Sequence, residues 1–175
     1  MNNRTGWPCL AAALLMAASA VSATAADSVG AVPGPIIHAD VAHWADAWNS
    51  HDIDTVMALF AKDVQIDQPE NPRPLDYAHT RGFFTMIFHA YPDFHVEVTQ
   101  AIVEGMDAVS VERVTGTWKG PFVNPATGES TPGNGRSFDH PGVMVIRYNP
   151  EHKITHVSIY WDQLTVDRQL GIPPK

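Results

Sequence analysis

The chain has 175 residues, 45% hydrophobic and 17% charged, with 12 Gly, 14 Pro and a formal net charge of −8. This is globular composition, which excludes disorder and collagen-like repeats and leads us to expect one domain. The acidic balance, without clusters of Lys or Arg, argues against nucleic acid or an anionic membrane as partner.

Leu10 to Ala26 reads LAAALLMAASAVSATAA, uncharged, behind a short region carrying Arg4. Its apolar part, Leu10 to Val21, is too short to span a bilayer, and Ala23-Thr24-Ala25 offers the small-x-small pattern a signal peptidase needs. Residues 1–25 therefore read as a signal peptide, 26–35 as a flexible leader and 36–175 as the folded domain. The expected location is periplasmic or secreted, with no membrane contact once the signal is removed. The only cysteine, Cys9, would leave with the signal. The mature chain then has no disulfide, no thiol nucleophile and no thiolate metal site.

From Ile36 the apolar positions Ile37, Val41, Trp44 and Trp48 form one helical stripe ending near Asn49. Asp52 can cap a second helix over 53–61, and Val64 to Gln68 alternates as a short strand. Thr80 is the expected cap of a third helix, which runs to about Tyr91 with Phe83, Phe84, Ile87 and Phe88 on its buried side, before Pro92. The period then changes to two. Residues 94–104, 108–118, 138–148 and 154–162 read as four strands, and a last helical turn or two ends at Gly171. Helices followed by an antiparallel meander mean α+β. The 19-residue connection Lys119 to Ser137 is too long for a bare loop and reads as a lid or a mobile insert.

The chain carries no glycine-rich nucleotide loop, no G-x-S-x-G elbow and no H-E-x-x-H. Nine histidines show no ligand pairing on a helix face: His152 and His156 are four apart but straddle a turn and a strand start. No metal and no cofactor is expected. What remains is a pocket built on aromatics and carboxylates. Trp44, Trp48, Phe84, Phe88 and Trp118 exceed a minimal core and can line an apolar cavity, although each taken singly is ordinary core. On residues 108–118 one strand face carries Ser110, Glu112, Val114, Gly116 and Trp118; on 154–162 one carries His156, Ser158, Tyr160 and Asp162. Glu112, Asp162, Asp67 and His140 are the acid/base candidates, because a carboxyl in a desolvated pocket can take and return a proton near neutral pH. The plainer reading of each is an exposed charge or an ion pair with Arg113 or Arg147. Asp162 stands out, since Tyr160-Trp161 beside it suggest enclosure.

As an ordered set, several segments resemble the SnoaL-like polyketide cyclase (ester cyclase) family of the nuclear-transport-factor-2-like superfamily. They are Trp48-Asn49-Ser50-His51-Asp52-Ile53-Asp54, Ala58 to Val64, Phe88 to Phe94, Gly116-Thr117-Trp118-Lys119-Gly120-Pro121-Phe122 with Pro125 to Gly128, and Tyr160-Trp161-Asp162-Gln163-Leu164 with Arg168 to Gly171. The resemblance implies a cone-shaped barrel: a curved, mixed, mostly antiparallel sheet covered by N-terminal helices around a pocket. It also implies cofactor-free ring closure by a carboxylate acid/base, and a homodimer through the outer sheet face, where Val109, Val111, Thr115 and Thr117 would lie. Trp118 stands where family members often place His, and 127–137 is longer than usual. The expected function is an exported cyclase, isomerase or lyase acting on a small hydrophobic carbonyl or ester compound. Asp162 would move the proton, with Tyr160, His140 or Glu112 holding the oxyanion or orienting the base. The competing expectation is a non-catalytic periplasmic protein that binds a small apolar ligand in the same pocket.

Overall fold

The computed structural model describes residues 38–68, 73–123 and 128–173. The expected signal peptide, the leader and the start of the first helix lie outside these residues. In chain order the elements are α1 (His38–Asn49), α2 (Ile53–Met57), β1 (Phe60–Asp67), α3 (Tyr77–Ala90), β2 (His95–Glu104), β3 (Asp107–Thr117), β4 (Phe122–Val123), β5 (Ser130–Thr131), β6 (Ser137–Tyr148), β7 (Ile154–Trp161) and α4 (Gln163–Leu170).

Five strands form one sheet in the order β1-β7-β6-β3-β2. β1 runs parallel to β7, and the other pairings are antiparallel. The fold is α+β with a mixed, mostly antiparallel sheet. Among the described residues it does not close on itself, and β1 and β2 are its two edges. Irregularities in pairing between Val98 and Gln100 and between Arg147 and Tyr148 supply bends of the kind that curve a sheet around its inner face.

The helices cover that face because their sequences leave them no other way to hide aromatic surface. α1 buries Val41, Trp44 and Trp48 of the stripe read from its period, together with Ala45 and Ala47; Ile37, the first of the stripe, lies outside the described residues. Each indole removes roughly 200 Å² from water, worth on the order of 5 kcal/mol before the entropy of ordering it. Trp48 packs against Phe84, Phe88 and Phe94, with ring centroids at 4.5, 5.4 and 5.2 Å. The carboxamide of Asn49 ends the helix by pairing with Val96 as a strand would: its Nδ2 donates to the carbonyl and its Oδ1 accepts from the amide, both at 2.8 Å. At the other end, His38 Nε2 lies 3.2 Å from the Ala101 carbonyl and Asp40 pairs with His152 at 3.1 Å.

Two helix boundaries differ from the sequence reading. α2 stops at Met57 rather than Ala61, because Phe60 pairs with Ile154 and the Ile154 amide donates to Leu59; strand pairing takes residues that helical periodicity would have kept. α3 starts at Tyr77, capped by Asp76, whose carboxylate accepts from the His79 amide at 2.9 Å; Thr80 sits one turn inside and is fully buried. The long connection is tied down at both feet. Lys119 and Gly120 amides donate to Ala90, Gly135 donates to Trp118, and Asn134 donates to the Leu170 carbonyl at the end of α4. β4 and β5 form a small hairpin within it. Gly120 is required there because any side chain would run into the His89 carbonyl.

Candidate functional site

β3 carries the centre of the site. Its burial alternates strictly from Ala108 to Gly116, so Ser110, Glu112 and Val114 face the covered side while Arg113 faces solvent. Glu112 is 1% exposed and Ser110 is fully buried. The Ser110 hydroxyl donates to Glu112 Oε1 at 2.7 Å, and Oε2 has no hydrogen-bond partner. Burial pushes the Glu112 carboxyl up to about 7, against the pull of the Ser110 hydroxyl and the nearby Trp44 indole N–H. Despite that proximity, the Trp44 N–H meets hydrogen-bond geometry with no acceptor. The two arginines available for an ion pair are engaged on the opposite face, Arg113 with Asp139 and Arg147 with Asp107. Glu112 is therefore a carboxyl poised between its two protonation states at neutral pH.

Across the sheet the carboxyl faces a glycine. Glu112 lies opposite Gly142 on β6, and Gly142 opposite Trp161 on β7. A Cβ built on Gly142 would meet nothing nearer than the Tyr160 carbonyl at 3.7 Å. The row next to the carboxyl thus lacks a side chain where its neighbours Val114 and Met144 have one.

Elsewhere among the described residues most buried polar side-chain atoms without a partner are donors. The indole N–H groups of Trp44, Trp48 and Trp118 and the hydroxyls of Tyr148 and Thr80 are buried without a partner. Unmet buried groups are uncommon and cost about 1–3 kcal/mol each, so the two that interact with Glu112, the Trp44 indole N–H and the Tyr148 hydroxyl, are the places where water or a ligand oxygen would be held. Burial, and then the charges of Asp40 and Glu112, push the Tyr148 phenol well above its ordinary value, so it remains a donor throughout the physiological range.

The structure sorts the residues expected from the sequence into two groups. Glu112, Trp44, Trp48, Phe84 and Phe88 belong to the covered side; Trp48 and Phe84 are in ring contact, and Phe88 is half-buried and stacks on His51. Trp118 is also buried, in a second apolar cluster with Val114, Phe138 and Leu170. Asp162, Tyr160 and Asp67 are not brought to Glu112. Asp162 is exposed and caps α4, accepting from the Thr165 amide at 3.1 Å and hydroxyl at 2.6 Å, and these bonds hold its carboxyl below the usual range. Tyr160 is 56% exposed, since the alternation of β7 turns Ile159 inward and Tyr160 outward. Asp67 pairs with His156 at 3.1 Å, both half-exposed. His140 lies opposite Val114 and is partly exposed, its Nδ1 2.9 Å from the Pro141 carbonyl. Sequence reasoning missed Gly142 and Tyr148. Both were within reach of the parity of residues 138–148, which also places them with Met144 and Ile146.

The model of the SnoaL-like polyketide cyclase family matches residues 39–170. The chain belongs to that family. Solved structures agree with the SnoaL-like fold. AclR of Streptomyces galilaeus, a candidate hydroxylase, superposes with a TM-score of 0.65 at 20% identity over 79% of this chain and 86% of its own. IdmH of Streptomyces antibioticus, a candidate polyketide cyclase, gives 0.61 at 24% identity over 77% and 97%. A protein of ketosteroid isomerase-like fold from Catenulispora acidiphila, in complex with trimethylamine, gives 0.62 at 21% identity over 77% and 93%. Comparison with curated protein sequences gives no significant match. The SnoaL-like family fixes the architecture and points to cofactor-free cyclase or isomerase chemistry, while the reaction of this member has to be argued from its own residues.

Proposed function

We propose that this chain is an exported SnoaL-like enzyme that moves a proton on a small hydrophobic carbonyl compound, with Glu112 as the acid/base. One observation carries the reading: a buried carboxyl with one oxygen held by Ser110 and the other unpartnered among the described residues, cross-strand from Gly142. Ionised Glu112 takes the proton α to the carbonyl through Oε2. The C–H electron pair moves onto the carbonyl oxygen, and the Trp44 indole N–H and the Tyr148 hydroxyl, both buried and unpartnered, are the donors assigned to the developing enolate. Glu112, now protonated, returns the proton. Delivery to a different carbon gives isomerisation. If the enolate carbon first attacks a second carbonyl, delivery to the new alkoxide completes a ring closure. Each step balances without an oxidant or a co-substrate.

The test is deuterium uptake by aryl 1,3-diketones in D2O, followed by proton NMR. Wild type should catalyse exchange at the central carbon, and Glu112→Gln should not. No exchange above buffer, or equal exchange by both proteins, removes the proposal.

The unpartnered indole donors also fit the binding-protein reading, in which they hold a ligand oxygen without chemistry. Native mass spectrometry after incubation with a metabolite extract separates the two, since a ligand recovered intact favours binding and a converted one favours catalysis. The proposal extends to a homodimer through the outer sheet face, where Ile102, Val145 and Tyr160 stand exposed. Light scattering at the monomer mass would end that part.

A further inference from the structure

The turn between α1 and α2 meets the C-terminal half of α3 at a cavity of about 250 Å³ lined by His51, Ile53, Thr85, Phe88 and His89. Both histidines are exposed, so their ring nitrogens are open to solvent and to anything that enters with it.

His51 is held in one pose. Its backbone takes a φ of 56°, a left-handed conformation uncommon for a residue with a Cβ. The turn fixes it there, since the His51 amide donates to the Trp48 carbonyl at 3.1 Å and the Ser50 hydroxyl donates to Ala47 at 2.6 Å. The imidazole stacks on Phe88, with centroids 5.4 Å apart and planes inclined by 10°, and its Nε2 lies 2.8 Å from the Phe94 carbonyl. A carbonyl only accepts, so Nε2 carries the proton and the neutral ring keeps its lone pair at Nδ1. Nδ1 has no partner among the described residues. Thr85 and His89, four apart on α3, share a helix face. The Thr85 hydroxyl donates its proton to the Arg81 carbonyl at 2.8 Å, which leaves the oxygen lone pairs. The His89 ring is bonded to no described residue.

We propose that this cavity binds a divalent ion of borderline softness, Zn2+ or Cu2+, through His51 Nδ1 and a ring nitrogen of His89, with the Thr85 oxygen facing the ion's water. The donor set decides the metal: imidazole suits zinc and copper, whereas magnesium and calcium take oxygen. A metal-bound histidine ordinarily donates its other N–H to a carbonyl or carboxylate, which sets its tautomer and orientation, and the Phe94 carbonyl already does this for His51. Bonds of about 2.0–2.1 Å require the two rings to converge. His51 is fixed, so the exposed His89 is the one that swings. Among the described residues no group of three or more histidines, cysteines and carboxylates is assembled, so water completes the coordination and affinity is modest. Spacing within a helix does not reveal the pair, because one ligand stands on a turn and the other on α3. The site shares no residue with the Ser110–Glu112 pair and is independent of proton transfer there.

The full chain, purified without a histidine tag and stripped of metal, is titrated with Zn2+, Cu2+ and Mg2+ by calorimetry. Its imidazole nitrogens are followed with Zn2+ by long-range proton–nitrogen NMR. Wild type should bind Zn2+, bind Cu2+ more tightly, and ignore Mg2+. The His51 nitrogen that shifts should be Nδ1, whereas a histidine that picks up metal adventitiously uses its more accessible Nε2. His51→Asn keeps a residue type that tolerates left-handed backbone, and His89→Gln alters an exposed position. Each should weaken Zn2+ binding at least about tenfold. If His51→Asn does not fold, the wild-type nitrogen shifts and His89→Gln decide. Binding in wild type no tighter than in the double variant, coordination through His51 Nε2, or unchanged affinity in either folded single variant would each overturn the proposal.

Discussion

Ser110 and Glu112, two residues apart on one strand, face the same covered side and share a 2.7 Å hydrogen bond through Oε1. The bond fixes which carboxyl oxygen stays available and orients it. Because a strand repeats every two residues, a serine two positions before a buried glutamate is placed to do this without help from any other element.

Burial raises Glu112 from 4.5 to about 7, so the folded protein holds a proton that the unfolded chain has released across that interval. Stability falls as pH rises through the window, by up to on the order of 3 kcal/mol, and flattens above it. Glu112→Gln has no such proton to lose. Urea denaturation of both proteins at about pH 5 and pH 8 should show the variant gaining on wild type at the higher pH, and parallel behaviour would mean that Glu112 does not titrate as described.

Tyr148→Phe deletes a buried hydroxyl with no partner. Stability should hold or rise by about 1 kcal/mol, because an unmet group is removed and nothing is left behind. Catalysed exchange should fall roughly 100-fold if the phenol holds the enolate oxygen. Thermal denaturation beside the exchange assay reads both effects.

Gly142→Ala should be tolerated, since a Cβ there stays 3.7 Å or more from its neighbours. Gly142→Val places branched methyls in the row between Glu112 and Trp161 and suits a strand backbone. The expected result is a loss of exchange of tenfold or more with little change in Tm, measured on all three proteins. Full activity in the valine variant would show that substrate does not use this row.

Asp162→Ala should cost about 1 kcal/mol through loss of the α4 cap, and Asp162→Asn almost nothing. Neither should alter exchange per folded molecule. Loss of turnover in the asparagine variant with the fold intact would return Asp162 to the mechanism.

The strands and the α1 stripe were legible because their periods are long and uninterrupted, and the parity of residues 108–118 was enough to put Ser110 and Glu112 on one face, though not to show their hydrogen bond. Asp162 drew attention through its aromatic neighbours, but β7 ends at Trp161 and the next residue has to terminate a strand and open a helix. A carboxylate there meets a local need for an acceptor that no hydrophobic pattern reports. Asp76 and Thr80 show the same ambiguity, since both residue types cap helices and only the chain's path selects between them. The placement of Gly142 opposite Glu112 depends on cross-strand register, which arises from contacts distant in sequence.

The α1 helix is fastened at both ends, by Asn49 on Val96 at one and by His38 and Asp40 at the other. A roof held so cannot swing like a door. Lifting it would break all of these ties at once, on top of the ring packing of Trp48 beneath.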